Sequence, residues 1–171
     1  DPIQAIRAVH DPAHARWMPH INLVYGFVPE ADFPAATEAI TAALRELPPI
    51  RVRLAGVHRF DHKGSTTVWI APTTSPPDLL QRLQAKLAAC FPGCTEQSSR
   101  GDFTPHLTIA KLTGPDISAL VDRFTLQLKA IEFTIDAVHL ISRRGGEPFA
   151  IRSSVPLGTP TLAPVPKDIP A

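Results

Sequence analysis

Cysteine, methionine, tyrosine and tryptophan are scarce in these 171 residues, with two, one, one and two copies. The two thiols, Cys90 and Cys94 in Cys-Phe-Pro-Gly-Cys, are too few to frame a disulfide-built fold, and no further Cys or His stands near them at zinc-ligand spacing. They are expected as reduced thiols of a cytoplasmic protein. An excess of one charge is also missing: the net charge is +1, so no global field draws the chain to polyanions and any phosphate site must be local. No apolar run approaches the roughly 18 residues of a membrane span, and no signal peptide precedes the first helix-like segment. The start at Asp1 leaves room for a removed upstream segment.

What is present suits one folded domain of ordinary size. Hydrophobic residues make up 44% and charged residues 19%, enough for a real core and too apolar for disorder. Periodicity predicts a helix over 1–15, with Ile3, Ile6 and Val9 inward, a strand over 20–28, and an amphipathic helix over 33–47 stopped by Pro48-Pro49. Strands over 51–60 and 66–71 flank a turn at Asp61-His62-Lys63-Gly64. A helix from Pro76 to Ala89, a polar loop over 96–101, a strand over 106–112 and a helix from Gly114-Pro115-Asp116 through Phe124 follow. Segments 130–142 and 147–155 read as a hairpin around Arg143-Arg144-Gly145-Gly146, and the tail from Pro156 is proline-rich with few apolar anchors. The order is two similar halves of helix, strand, helix and hairpin. It predicts an α+β domain of two pseudo-symmetric lobes, each of mainly antiparallel sheet with outer helices, around a central groove.

Each half carries the same short phrase: Pro19-His20-Ile21-Asn22-Leu23 and Pro105-His106-Leu107-Thr108-Ile109. In an extended chain, side chains alternate faces, so His20 and Asn22 share one face and His106 and Thr108 another, with apolar residues beneath. Two such strands can frame one polar cleft with two imidazoles and two small hydrogen-bonding groups. The other histidines, His10, His14, His58, His62 and His139, lack a following small polar residue in this setting and read as ordinary surface or core residues.

With these paired motifs, residues 1 to about 157 resemble the 2H phosphoesterase superfamily, also called the 2′-5′ RNA ligase-like or LigT-like family. Its mark is a pair of His-x-Thr/Ser-apolar motifs on pseudo-symmetric lobes lining one groove. The stretch from Arg16 to Tyr25 is similar to a subgroup found with RNA-processing domains in larger polypeptides. Two features depart from that pattern. Asn22 stands where Ser or Thr is usual; its amide still donates, with different reach. Family members also begin with a strand ahead of the first helix. Here the tail, residues 158–171, resembles that lead-in, so it is expected either to fill the first-strand slot, as in a permuted chain or in exchange with a neighbouring molecule, or to stay outside the core. The chain is accordingly expected as a monomer, or as a dimer if the strand is exchanged.

The resemblance implies metal-independent phosphodiester chemistry on RNA ends or small nucleotides, either a 2′,3′-cyclic phosphate or a 2′-5′ linkage, with no cofactor. Such cleavage needs a base, an acid and donors to the phosphate. His20 and His106 supply the first two, because an imidazole with a pKa near 6.5 serves in either form; which is acid and which base is not fixed by sequence. Asn22 and Thr108 are the phosphate donors. Tyr25, Phe27 and Phe103 are candidates to stack on a base, Tyr25 foremost. Arg100, Lys111, Arg143 and Arg144 are candidate phosphate-neutralising cations. Trp17 is expected to anchor the junction between the first helix and strand. Two other readings stand beside this one: a non-catalytic nucleotide- or RNA-binding module, which Asn22 favours, and a 2′-5′ RNA ligase running the same chemistry in reverse.

Overall fold

The fold, a computed structural model, describes residues 1–94 and 103–158. Its first helix, α1 (Pro2–His10), starts where Asp1 accepts a hydrogen bond from the Ile3 amide at 2.9 Å and Pro2 occupies the first turn. It stops five residues before Ala15. Asp11 precedes Pro12, whose ring pushes it out of helical geometry, and it adopts the extended values φ −116° and ψ 105°. A 3-10 turn at Glu30–Asp32 leads into α2 (Phe33–Leu44), which buries Phe33, Ala36, Ile40 and Leu44. The helix ends short of Leu47, yet Leu47 remains buried and its amide bonds the Leu44 carbonyl at 3.0 Å.

Strands β1 (Ile50–His62) and β2 (Ser65–Thr74) form a hairpin around Lys63-Gly64, where Gly64 takes φ +83°, a left-handed value that costs glycine little. Helix α3 (Leu79–Cys90), three residues shorter at its start than the expected segment from Pro76, and strand β3 (Leu107–Leu112) follow. Then come α4 (Ile117–Gln127), β4 (Ile131–Ile135), β5 (Ala137–Ser142) and β6 (Ala150–Pro156). The expected single strand over 130–142 is thus two strands. β4 pairs with β1, whereas β5 pairs with β6 in a separate sheet. The chain changes sheets at Asp136, whose carbonyl is held by the Leu157 amide at 2.7 Å.

The class is α+β, with one four-stranded antiparallel sheet of order β3-β2-β1-β4 and one two-stranded sheet, β5-β6. Two hydrophobic cores match them. α2 and α3 pack Ile40, Leu44, Leu80 and Leu83 against Val138, Leu140 and Val155 of the small sheet, with Ile50 and Val52 at the base. α1 packs Ile3 and Ile6, and α4 packs Phe124, against Val68, Ile70, Leu107 and Ile109. The two halves are similar in plan and unequal in strand number.

The expected strand over 20–28 is not one. Only Ile21 pairs, in an isolated antiparallel bridge to Leu107, and the chain bends through 23–26, where Gly26 takes φ +74°. The side chains explain why. Leu23 and Val24 both pack against the first core, as do Phe27 and Val28, so successive residues point the same way and period-two alternation is lost. The expectation of a first strand from the tail falls, apart from Gly158, outside the described residues.

Candidate functional site

The bridge between Ile21 and Leu107 sets the site. Its antiparallel register brings the two motifs side by side, placing His20 across from Thr108 and Asn22 across from His106. Ile21 and Leu107 pack downward into the second core. The four polar side chains of the two phrases therefore come together, although only one phrase sits at the head of a regular strand. All four are half-buried.

Both imidazoles are held the same way. His20 Nδ1 lies 2.6 Å from the Met18 carbonyl oxygen, and His106 Nδ1 lies 2.8 Å from that of Thr104. A carbonyl only accepts, so each Nδ1 carries the hydrogen and donates it. In the neutral ring, the lone pair is then on Nε2, the atom left for chemistry. The spacing from histidine to carbonyl is two residues in both phrases, a local repeat that fixes both tautomers alike.

Each imidazole also rests on one of the two tryptophans of the chain. Trp17 stacks on His20 with centroids 4.6 Å apart, and on its other side stacks on Phe149 at 3.7 Å. Trp69 meets His106 edge-on at 5.8 Å, beside Phe60 at 5.3 Å. Trp17 is itself tied to α1. Arg7, only 2% exposed, donates to the Trp17 carbonyl at 2.8 Å, to Asp11 at 2.9 Å and to Gln4 at 3.0 Å. The junction-anchoring expected of Trp17 is therefore accompanied by direct contact with the candidate histidine.

Burial lowers the His20 pKa below the usual imidazole value; the Met18 hydrogen bond opposes this, and repulsion from Arg7 and from His106 adds to it. A groove of about 830 Å³ opens beside His20, lined by Trp17, His20 and Asn22 together with β5, Phe149 and Ile151; His106 and Thr108 are not among the residues that line it.

The remaining candidates divide. Tyr25, 47% exposed, lines this groove, as does Phe27, whose ring is packed against Phe33 and Phe91 in the core. Arg143 reaches the groove with its guanidinium 5.9 Å from the centre of the Phe149 ring. Lys111 is exposed on β3, three residues beyond Thr108, and Phe103 is half-buried just ahead of His106. Arg144 is not a free phosphate ligand. It is paired with Glu30, which also accepts from Ser142 and lies 3.7 Å from Arg152; the Arg144 hydrogen bond is the main cause that holds the Glu30 carboxyl down at about 2. Arg100 lies outside the described residues. Phe149, Trp69, Phe60 and His139, which lines the groove with Nδ1 2.8 Å from Ser154 Oγ, are additions that no local sequence pattern sets apart from ordinary residues. Among the described residues, no three His, Cys, Asp or Glu side chains cluster as a metal site requires, and no helix is long and apolar enough to cross a membrane.

Comparison with known proteins fits this arrangement. The fold is similar to the crystal structure of TT0787 of Thermus thermophilus, with a TM-score of 0.61 at 18% sequence identity, covering 92% of this chain and 90% of that one. No curated protein matches. Residues 1–147, which contain both histidine phrases, match the model of the 2′-5′ RNA ligase superfamily. The chain belongs to the 2′-5′ RNA ligase superfamily, the 2H phosphoesterases.

Proposed function

We propose that this protein is a metal-independent phosphodiesterase that opens 2′,3′-cyclic phosphates, or cleaves 2′-5′ linkages, on RNA ends or nucleotides. The observation that carries this reading is the matched pair of imidazoles, each with Nδ1–H given to a backbone carbonyl and Nε2 left for substrate. His20, kept neutral by burial at neutral pH, is the base. Its Nε2 takes a proton from water as the water oxygen attacks phosphorus. His106, in its protonated form, gives the Nε2 proton to the ribose oxygen as the P–O bond breaks. A phosphomonoester and a free hydroxyl result, and one proton has passed from His106 to the product while another has passed to His20. Thr108 and Asn22 donate to the non-bridging oxygens, whose charge increases in the transition state. Tyr25 and Arg143, which line the groove with His20, and Phe103 and Lys111, which flank the second phrase in the chain, are the candidate substrate contacts. The superfamily name also embraces ligation, in which the 5′-hydroxyl of a second strand takes the place of water, attacks the cyclic phosphate and frees one ribose oxygen, and which proceeds only when two ends are held together.

The test is hydrolysis of a 2′,3′-cyclic mononucleotide with EDTA present, for wild type, His20→Ala, His106→Ala and Asn22→Thr. Each histidine variant is expected to lose at least two orders of magnitude in kcat, while Asn22→Thr retains or raises turnover. Activity that survives in both histidine variants refutes the mechanism, and activity abolished by EDTA refutes metal independence. Saturable nucleotide binding without turnover in wild type would instead identify a binding module.

A further inference from the structure

Helices α1 and α4 pack on one face of the four-stranded sheet. The strand register gives the residues of the opposite face, the one that carries His106. One row reads Thr108, Trp69, His58 across β3, β2 and β1; the next reads Lys111, Thr67, Phe60. Rings crowd there. His58 lies on Trp69 with centroids 4.7 Å apart and planes 24° apart, Phe60 lies on Trp69 at 4.8 Å and 26°, and the edges of this stack meet His106.

Two details argue against mere space-filling. The indole N–H of Trp69 is buried with no hydrogen-bond partner among the described residues, a cost that phenylalanine would avoid while filling much of the same space. The backbone is also shaped around His58. β1 carries a bulge between Ala55 and Val57, Gly56 takes φ +78°, and a Cβ at Gly56 would come 3.1 Å from His58 Nε2. Despite lying on Trp69, His58 remains exposed, as does Lys111 one row away. His62 Nε2 lies 3.2 Å from Thr67 Oγ1 in that second row. The six positions of these rows hold one lysine, one imidazole, two hydroxyls and two aromatic rings, and no carboxylate.

We propose that this sheet face is a stacking platform for single-stranded RNA, continuous with the catalytic site. The nucleotide adjoining the phosphate at His106 lays its base on the His58 and Phe60 rings, and Lys111 neutralises the next phosphate. An aromatic face accepts any base and a lysine any phosphate, so the platform selects length rather than sequence. The substrate class is therefore the end of an RNA strand, in preference to a free mononucleotide. This rests on the reaction proposed above for its reacting end, and stands apart from it for binding.

Two measurements separate the two claims. In the first, kcat/KM is compared for a 2′,3′-cyclic mononucleotide and a short cyclic-ended oligonucleotide. The ratio favouring the oligonucleotide is expected to fall on the order of tenfold in His58→Ala, to recover in His58→Phe, and to fall in Lys111→Ala with a weaker salt dependence. In the second, fluorescence anisotropy follows binding of a single-stranded RNA ending in a 3′-phosphate, where turnover plays no part. Affinity that rises with RNA length in wild type and loses that rise in His58→Ala supports the platform even where no hydrolysis is seen, in which case the reaction alone fails. No rise with length, or equal losses on both substrates, overturns the platform and leaves the reaction standing.

Discussion

Replacing Arg7 by methionine tests whether the site is held from beneath. Arg7 and Asp11 are paired at 2.9 Å with side chains 2% and 6% exposed, and Arg7 also holds the Trp17 carbonyl and the Gln4 amide oxygen. A surface pair would contribute little, but removal of one partner here leaves the Asp11 carboxylate buried without its cation, a loss of about 3–5 kcal/mol. The Ala13 amide still donates to Asp11 Oδ1 at 2.9 Å, which keeps the expected value towards the lower end of that range. For a chain of this size the loss corresponds to a Tm lower by roughly 6–20 °C. The double variant Arg7→Met/Asp11→Asn removes the stranded charge and leaves the Trp17 carbonyl and the Gln4 amide oxygen without their Arg7 donor, so a remaining deficit of about 1–3 kcal/mol is expected. Urea unfolding of wild type, the single and the double variant reads both steps. A single variant within about 1 kcal/mol of wild type, or a double variant no better than the single, refutes the reasoning. Because Trp17 stacks on His20, the single variant is also expected to lose activity on a cyclic mononucleotide under folding conditions.

Burial lowers the His20 pKa, so between the usual value of 6.5 and the lower folded value the unfolded chain binds the proton that the folded chain refuses. The contribution of His20 to stability is whole above pH 6.5 and falls with pH below it. The stability difference between wild type and His20→Asn, by urea unfolding at about pH 7.5 and about pH 5, is expected to move against wild type at the lower pH, and the opposite sign refutes the burial argument. Gly56→Ala forces an L-residue into φ +78° and crowds His58, so about 1–2 kcal/mol of stability is expected to be lost, together with selectivity for oligonucleotide; an unchanged urea midpoint would contradict the strain.

Much of this protein was legible from alternation and punctuation. The β1–β2 hairpin, α2 and the buried face of β3 follow from local patterns, because their apolar residues recur at the period of the element they form. Where the reading missed, non-local contacts decided. Residues 20–28 carry strand-like composition, but Leu23-Val24 and Phe27-Val28 are drawn to one core and the ladder does not form. Asp136 divides an apparently continuous strand because its two ends belong to different sheets. His20 and His106 were visible as a repeated phrase, whereas Phe149 under Trp17 and Trp69 beside His106 meet them only through tertiary packing, which no local spacing records.

The two phrases look interchangeable in sequence, and the Nδ1 contacts preserve that equivalence at the level of tautomer. Their surroundings remove it. His20 is packed between a tryptophan tethered to a buried ion pair and the wall of the groove, and its charge is opposed by burial and by Arg7. His106 stands at the head of a strand, against rings whose far side is open at His58. Under the reaction proposed here, with His20 as the base beside the groove and His106 beside a row of rings exposed at His58, the site has a direction. Under that same reading, the strand adjoining the reacting phosphate runs along the sheet from His106, and water attacks from the His20 side. Asn22, the departure from the usual Ser or Thr, sits across from His106 by the register of the bridge. On the platform proposed above, it faces the imidazole nearer the longer part of the substrate, and a change of donor reach there is expected to alter preference before it alters chemistry.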